Sequence, residues 1–395
     1  MISKEHNQPS GRHKKHTALA RPPFGNFGRN EWAMVGGPCT AIKLLADQII
    51  GALSPAHKCA YVDAAHNDDI TLPPGRLVSG AILDYSDNVN YRQLNYSTTF
   101  NSFKLKETFA DAGLVLVNGN HHQAKAQVVI IHENKKASLQ KRVGQLTNVQ
   151  MILLADNAPE PFDFIKEAVP NWQDLPLYRL GETEKIIAFF EKQVQMAKPQ
   201  LNGLVLAGGK SERMGFDKGG VNWHGKEQRY HMADMMTPFC KKVFISCRED
   251  QQQDIDDRYL TLPDTFTGLG PYGAILSAFR EKPDSSWLIV ACDLPLLGEK
   301  TLKHLVDNRN NSSIATAFQS GFDDFPEPLI TIWEPKSYPV LLSFLAQGYS
   351  CPRKVLINSD ITLLHAPSPD ELTNVNTPEE MERVKLVLHQ TIVSS

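Results

Sequence analysis

Short, unbroken runs of apolar residues separated by polar turns set the rhythm of this chain from about residue 31 onward. Cys59-Ala-Tyr-Val62, Leu114-Val-Leu-Val117, Val128-Val-Ile-Ile131 and Met151-Ile-Leu-Leu154 are such runs. Each has the length and the lack of alternation of a strand buried on both faces, as in a parallel sheet. Ala33-Met-Val35 reads as the end of a further strand, Gly36-Gly-Pro38 as a turn, and residues 40–50 as a helix. Residues 182–193 predict a closing helix.

A second series follows. Leu204-Val-Leu206, Lys242-Val-Phe-Ile-Ser246, Ser286-Trp-Leu-Ile-Val-Ala291 and Leu329-Ile-Thr-Ile-Trp333 predict strands, with helices over 230–239 and 299–307. Between the two series, residues 196–202 are short, mostly polar and contain Pro199. The expected organisation is therefore a tail over 1–30, an α/β domain over 31–195, a linker over 196–200 and a second α/β domain over 201–395. A length of 395 residues fits two domains. The tail is expected to be flexible, because its Lys, Arg, His, Pro and Gly residues offer little apolar surface to offset ordering entropy.

Composition changes this picture little. An apolar fraction of 42% and a charged fraction of 22% are those of an ordinary soluble globular protein. A net charge of −3 gives no reason to expect nucleic acid or an anionic membrane as partner. No apolar run approaches the roughly 20 residues that span a bilayer, and no secretory signal is evident. The six cysteines lack C-x-x-C spacing, so neither a zinc site nor a disulfide framework is expected. The expected location is the cytoplasm.

The chemistry concentrates in Leu204-Val-Leu-Ala-Gly-Gly-Lys-Ser-Glu-Arg-Met-Gly-Phe-Asp-Lys218, a strand breaking into a glycine turn with fixed cations. Gly208 and Gly209 let main-chain N–H groups approach phosphate oxygens where a Cβ would obstruct them. Arg213 can fork onto two phosphate oxygens and Lys218 acts as a mobile point charge. Neither the P-loop pattern nor the dinucleotide fingerprint fits this spacing.

Leu206, Ala207, Gly208, Gly209, Arg213, Met214, Gly215, Asp217 and Lys218 resemble the signature of the molybdenum cofactor guanylyltransferases, the MobA type. That resemblance implies a Rossmann-like nucleotidyltransferase domain with a mostly parallel sheet. Asp264 before Gly268-Leu-Gly-Pro-Tyr-Gly-Ala-Ile275 is similar to the family's second block. It offers the acceptor pair that guanine's ring N–H and amino group require, although an Asp before such a loop can also be a helix cap. Asp293 ends an apolar run and stands where a buried parallel strand meets the ligand edge of the sheet. It is the candidate Mg²⁺ ligand, with capping of the 299–307 helix as the alternative. Where the family commonly has an Asn just past the strand Lys242-Val-Phe-Ile-Ser246, this chain has Ser246, Cys247 and Arg248, so Arg248 is the candidate nucleotide contact there. Arg353 and Lys354, after a glycine turn at Gly348, and Asn374 and Asn376, within Asn374-Val-Asn-Thr-Pro378, are the acceptor-side candidates. Thr377 and Pro378 also read as N-cap and first helical residue.

The first domain resembles the small GTP-binding accessory protein of molybdopterin guanine dinucleotide synthesis, the MobB type. Leu114-Val-Leu-Val-Asn-Gly-Asn120 stands where that family has a strand ending in E-G, and the segment from Tyr178-Arg-Leu to Phe190 is similar to its terminal helix. The chain departs from it over 36–43, where there is no G-K-[ST], and Asn118 stands where the acid would be. The implication is a degenerate, P-loop-like α/β domain with impaired or absent NTPase function.

Together these resemblances imply an enzyme: transfer of GMP from Mg-GTP to the terminal phosphate of molybdopterin, with or without molybdenum, releasing pyrophosphate. They imply Mg²⁺ as cofactor, GTP and molybdopterin as partners, and molybdoenzymes or their chaperones as recipients of the product. Arg213, Lys218 and Asp293 would carry the reaction; Leu206, Ala207, Gly208, Gly209, Arg248 and Asp264 would bind the nucleotide. Alternatives stay open: a CTP-dependent molybdopterin cytidylyltransferase, which generally reads L-A-A-G at residues 206–209; another nucleotidyltransferase, such as one acting on sugar 1-phosphates; or a non-catalytic cofactor-binding or assembly protein.

Overall fold

The computed structural model describes residues 26–64, 75–207, 218–321, 323–375 and 377–394. Residues 1–25, most of the expected tail, lie outside the described residues. The fold nevertheless begins before residue 31. The main-chain N–H groups of Asn26, Phe27 and Gly28 donate to the Glu31 carboxylate, and Phe27 is buried.

The first sheet contains β1 (Glu31–Val35), β2 (Cys59–Val62), β5 (Leu114–Asn118), β6 (Ala126–Ile131), β7 (Val149–Leu154) and β8 (Leu177–Arg179), in the order β2-β5-β1-β6-β7-β8. β1 pairs in parallel with β5 and β6, and β7 in parallel with β6 and β8. Every residue of β1, β5 and β6 is buried, which is why those segments read as unbroken apolar runs. Between β2 and β5 the chain forms an antiparallel hairpin, β3 (Leu83–Asn88) and β4 (Tyr91–Tyr96). Its apolar residues Leu83, Tyr85, Tyr91, Leu94 and Tyr96 are exposed, so it left no buried-strand signature in the sequence.

The helices of this half are α1 (Cys39–Leu53), α2 (Ser102–Thr108), α3 (Lys136–Gln140), α4 (Asp163–Ala168) and α5 (Thr183–Met196). In α1, Ile42, Leu45, Ala46, Ile49 and Leu53 are buried, the stripe that a 3.6-residue period produces. Each fully buried Leu or Ile stabilises such a helix by about 1.5–3 kcal/mol.

The second sheet contains β9 (Leu201–Leu206), β10 (Val243–Cys247), β11 (Leu260–Pro263), β12 (Ser286–Ala291), β13 (Ala315–Gln319), β14 (Pro326–Trp333) and β15 (Thr362–Leu364), in the order β11-β10-β9-β12-β14-β13-β15. β11, β10, β9 and β12 pair in parallel; β14 runs antiparallel to both β12 and β13. The sheet is thus mostly parallel, with one reversed strand. Its helices are α6 (Gln228–Met236), α7 (Pro271–Glu281), α8 (Glu299–Asp307), α9 (Ser337–Ala346), α10 (Pro352–Ile357) and α11 (Pro378–Ser394).

Both faces of this sheet are covered. Val205, Leu288 and Val290 pack on one side with Met232 and Met236 of α6 and Leu302 and Leu305 of α8. Leu204, Trp287 and Ile289, the intervening positions, pack on the other with Ile275 and Phe279 of α7, Leu341 of α9 and Val355 of α10. Successive side chains of one strand therefore enter two separate cores. The described chain divides into two compact units: one takes residues up to Ala46, Tyr61–Thr108 and Val115–Glu182, and the other takes Asp47–Ala60, Phe109–Leu114 and everything from Thr183 onward.

A buried ion pair braces the amino edge of β12. Arg309 donates to both carboxylate oxygens of Glu334, at 2.6 and 3.0 Å, and to Ser286 Oγ at 2.6 Å, with Glu334 only 1% exposed. Removing the guanidinium would strand a buried carboxylate, a loss of about 3–5 kcal/mol, whereas removing both charges leaves no buried charge unpaired and strands only the Ser286 hydroxyl. Arg309→Met is therefore expected to lower the unfolding free energy measured by guanidinium chloride titration by that amount, and Arg309→Met with Glu334→Leu to recover most of it. Equal midpoints for the wild type and Arg309→Met would refute the brace.

Candidate active site

The register of the second sheet brings four strand ends level. Leu206 of β9 stands opposite Ser246 of β10 and Ala291 of β12, and Cys247 opposite Pro263 of β11. The ladder runs one residue past the strands: Cys292 N–H donates to Leu206 O at 3.4 Å and Asp264 N–H to Cys247 O at 2.9 Å. Ala207, Arg248, Asp264 and Asp293 thus leave the same carboxyl edge. Between β9 and β12 the strand order reverses, and in open α/β sheets that reversal opens the ligand crevice.

The glycine turn predicted to cradle phosphate departs from β9 at this point. Gly208, Gly209 and Arg213 lie outside the described residues; the described chain resumes at Lys218, in a single 3₁₀ turn Lys218–Gly220. From there it returns to the same edge. His224, which belongs to no recognisable motif, places Nε2 at 2.9 Å from the Pro295 carbonyl oxygen, two residues past Asp293. Its ring stacks on His231 of α6 with centroids 4.0 Å apart. Burial, with His224 and Lys226 nearby, pulls His231 down to about 4, so it is neutral at physiological pH.

Asp264 is a half-buried carboxyl at the end of β11. Ser246 Oγ donates to its Oδ1 at 2.8 Å. Burial raises its pKa, the Ser246 hydroxyl partly offsets that, and the net direction is upward. The capping alternative does not hold, because the residue preceding α7 is Gly270. The loop from Asp264 to Gly270 is instead pinned by Ser277, whose Oγ accepts from the N–H groups of Thr265 and Phe266 and donates to Gly273 O. Gly273 is required there, since a Cβ would run into the Phe266 carbonyl.

Asp293 opens the loop between β12 and α8. It does not cap α8 either, because that position belongs to Gly298. Two bonds from a distant segment hold the loop: Val375 N–H donates to Asp293 O at 2.9 Å, and Glu371 accepts from Gly298 N–H at 2.7 Å. The partly buried Asn374 is thereby set beside the Asp293 strand end, while Asn376 lies outside the described residues. Thr377 and Glu380 form the reciprocal capping box, with Glu380 N–H donating to Thr377 Oγ1 and Thr377 N–H to Glu380, ahead of α11.

The remaining cations are engaged elsewhere. Arg353, in the first turn of α10, pairs with Asp323 at 2.8 Å and with the buried Glu327 at 3.1 Å. Lys354 lies 5.7 Å from the ring centroid of Tyr349. Arg248 pairs with Asp250 at 3.1 Å on the surface, an interaction worth little and readily exchanged for a ligand.

Residues 203–361 match the family described as MobA-like NTP transferase domain, a span that begins in β9, includes Asp264, Asp293, Arg353 and Lys354, and stops before Asn374. The chain is 31% identical over 201 residues to the molybdenum cofactor biosynthesis bifunctional protein of Synechocystis, covering 51% of this chain and 58% of that one. It is 28% identical over 200 residues to the molybdenum cofactor guanylyltransferase of Shewanella sp. (strain MR-4), covering 49% of this chain and 98% of that one. Among solved structures, molybdopterin-guanine dinucleotide biosynthesis protein A from Archaeoglobus fulgidus aligns at 22% identity and a TM-score of 0.42, covering 48% of this chain and 99% of that one. The second half of the chain carries a MobA-like NTP transferase domain.

Proposed function

We propose that this protein transfers GMP from Mg-GTP to the terminal phosphate of molybdopterin, with or without molybdenum, and releases pyrophosphate. The observation that carries this reading is the level edge formed by β9, β10, β11 and β12, which sets Asp264 and Asp293 at a strand-order reversal inside a MobA-like domain. The names of similar proteins, a molybdenum cofactor guanylyltransferase among them, support guanylyl transfer in molybdenum cofactor synthesis.

In this scheme the turn amides near Gly208 and Gly209, with Arg213 and Lys218, hold the triphosphate. Leu206, Ala207 and Arg248 border the nucleotide, and Asp264 accepts from the guanine edge. Asn374, with Asn376, Arg353 and Lys354, faces the acceptor; Arg353 would leave its carboxylates to do so. Phosphoryl-type transfer depends on positioning and charge stabilisation, and the acceptor phosphate already carries its nucleophilic oxygen, so no general base is needed.

The donor set suits Mg²⁺. Mg²⁺ is bound through one or two carboxylates plus phosphate and water oxygens, and Asp293 supplies one carboxylate just past the end of β12. Asp293 would hold the ion, whose charge would neutralise α-phosphate and pyrophosphate oxygens.

We further propose that the domains follow 31–195 and 201–395 with 196–200 as linker, and that the protein works in the cytoplasm and hands its product to molybdoenzymes or their chaperones. Among the described residues no helix is long and apolar enough to cross a membrane. The first domain is proposed as a P-loop-like scaffold with impaired or absent NTPase function. Its glycine turn supports this, because the Asn120 side chain occupies the Gly36 N–H.

Purified protein with Mg²⁺ and molybdopterin is expected to release pyrophosphate from GTP, and not from CTP or ATP. Asp293→Ala is expected to lower turnover by about 10²-fold or more with the fold intact. Preference for CTP would make the enzyme a cytidylyltransferase, no turnover with any nucleotide would favour a binding module, and full activity of Asp293→Ala would remove that residue from the metal site.

A base-reading Asp264 must stay charged despite its burial, which costs stability. Its folded-state pKa is raised above the ordinary carboxylate value of 3.8, so its favourable contribution is complete below that value and is lost as pH rises through the folded pKa. Asp264→Asn is therefore expected to raise the melting temperature relative to wild type more at pH 7 than at pH 3, while weakening GTP binding. A pH-independent difference would contradict the buried charge.

A further inference from the structure

Asp293 sits on a connection without regular structure, residues 292–298 between β12 and α8. Leu294 and Leu297 bury its underside in the core, and Leu297 N–H donates to Leu294 O at 3.2 Å. The C-terminal stretch anchors its two ends, with Val375 N–H on Asp293 O and Glu371 on Gly298 N–H. Between those anchors lies the buried Pro295, whose carbonyl can only accept. His224 Nε2 meets that carbonyl at 2.9 Å, so this nitrogen carries its hydrogen. An imidazole donates from Nε2 whether neutral or cationic, and the bond survives either state.

The turn that presents His224 is built without help from its ring. Asn222 and Glu227 form an antiparallel bridge, and Gln228 N–H donates to Val221 O at 2.8 Å. Gly225 reverses the chain at a φ of 83°, in the left-handed region that glycine adopts without strain. His231, in the first turn of α6, then fixes the plane of the His224 ring, with centroids 4.0 Å apart and planes 19° from parallel. Burial, with His224 and Lys226 nearby, pulls His231 down to about 4, so it brings no like charge to the stack at physiological pH. The His224 ring is itself exposed, and its removal opens no cavity.

We propose that His224 is a positioning residue for the Mg²⁺ carboxylate: by holding Pro295 it fixes the loop that carries Asp293. This inference rests on the guanylyl-transfer reading of the site. His224 touches neither nucleotide nor metal and acts through the main chain two residues past Asp293. Because it follows Lys218 closely in the chain, the same contact ties the segment after the glycine turn to the metal side of the site. Without the ring, Pro295 O loses its donor, the middle of the loop loosens and Asp293 spends less time where it can hold the ion. GTP contacts that need no metal are unaffected.

The test compares full-length wild type, His224→Ala and His224→Gln. In the absence of nucleotide and metal, amide exchange in peptides covering residues 292–298 is expected to be about threefold to tenfold faster in His224→Ala, the range that one net hydrogen bond supplies. His224→Gln, whose amide N–H can reach the position of Nε2, is expected to restore wild-type exchange. Added Mg²⁺ is expected to strengthen GTP binding by wild type and His224→Gln, and His224→Ala to lose a similar factor of that gain while its affinity for GTP without Mg²⁺ stays unchanged. A general fold defect would instead weaken GTP binding with and without Mg²⁺ alike. That pattern, or exchange at 292–298 indifferent to His224→Ala, would overturn the proposal. Failure of the underlying reading looks different, because the wild type itself would then bind no Mg-GTP.

Discussion

The parallel pairing of β9 with β10 on one side and β12 on the other is the constraint on which the candidate active site depends. Because Ser246, Leu206 and Ala291 share one level, the residues that follow them emerge together. A slip of one residue in any of these strands would also exchange its two buried faces, sending Leu204 and Val205 into each other's cores. Core packing on both sides of the sheet therefore fixes the geometry of its edge. The catalytic candidates inherit their positions from hydrophobic burial far larger than any of their own interactions.

Polar contacts then refine what burial sets. Asp264 is drawn toward Ser246 and away from water, and its loop is held by Ser277 on α7. The segment after Asp293 is gripped from two remote parts of the chain, by His224 and by the stretch from Glu371 to Val375. These contacts span 71 and 73 residues, so the loop can be rigid without a regular element of its own. The first sheet repeats the principle: the Asn120 side chain closes the turn after β1 by accepting from Gly36 N–H and donating to Gly37 O.

Much of this was legible in the sequence because buried parallel strands are nearly all apolar. Leu114 to Val117 and Val128 to Ile131 mark strands that extend only a residue or two further, and Cys59 to Val62 matches its strand end to end. Asp293 was legible because it interrupts such a run. The hairpin of β3 and β4 was not, since its alternating residues face solvent on both sides. Nor could the local pattern reveal the partnership of Ser246 with Asp264, of His224 with Pro295 or of Glu371 with Gly298; each depends on sheet order, which no short window encodes. The pairing of Arg353 with Asp323 and Glu327 was equally hidden, because those residues lie 30 and 26 positions away.

The central claim is that the nucleotide belongs to the carboxyl edge of the second sheet and not to that of the first. Hydrogen exchange of the full-length chain with and without Mg-GTP tests it most directly. Slowed exchange in peptides covering residues 204–218, 246–248, 264–270 and 292–298, with residues 35–43 and 118–122 unchanged, is the predicted result. Protection confined to residues 35–43 and 118–122 would contradict it.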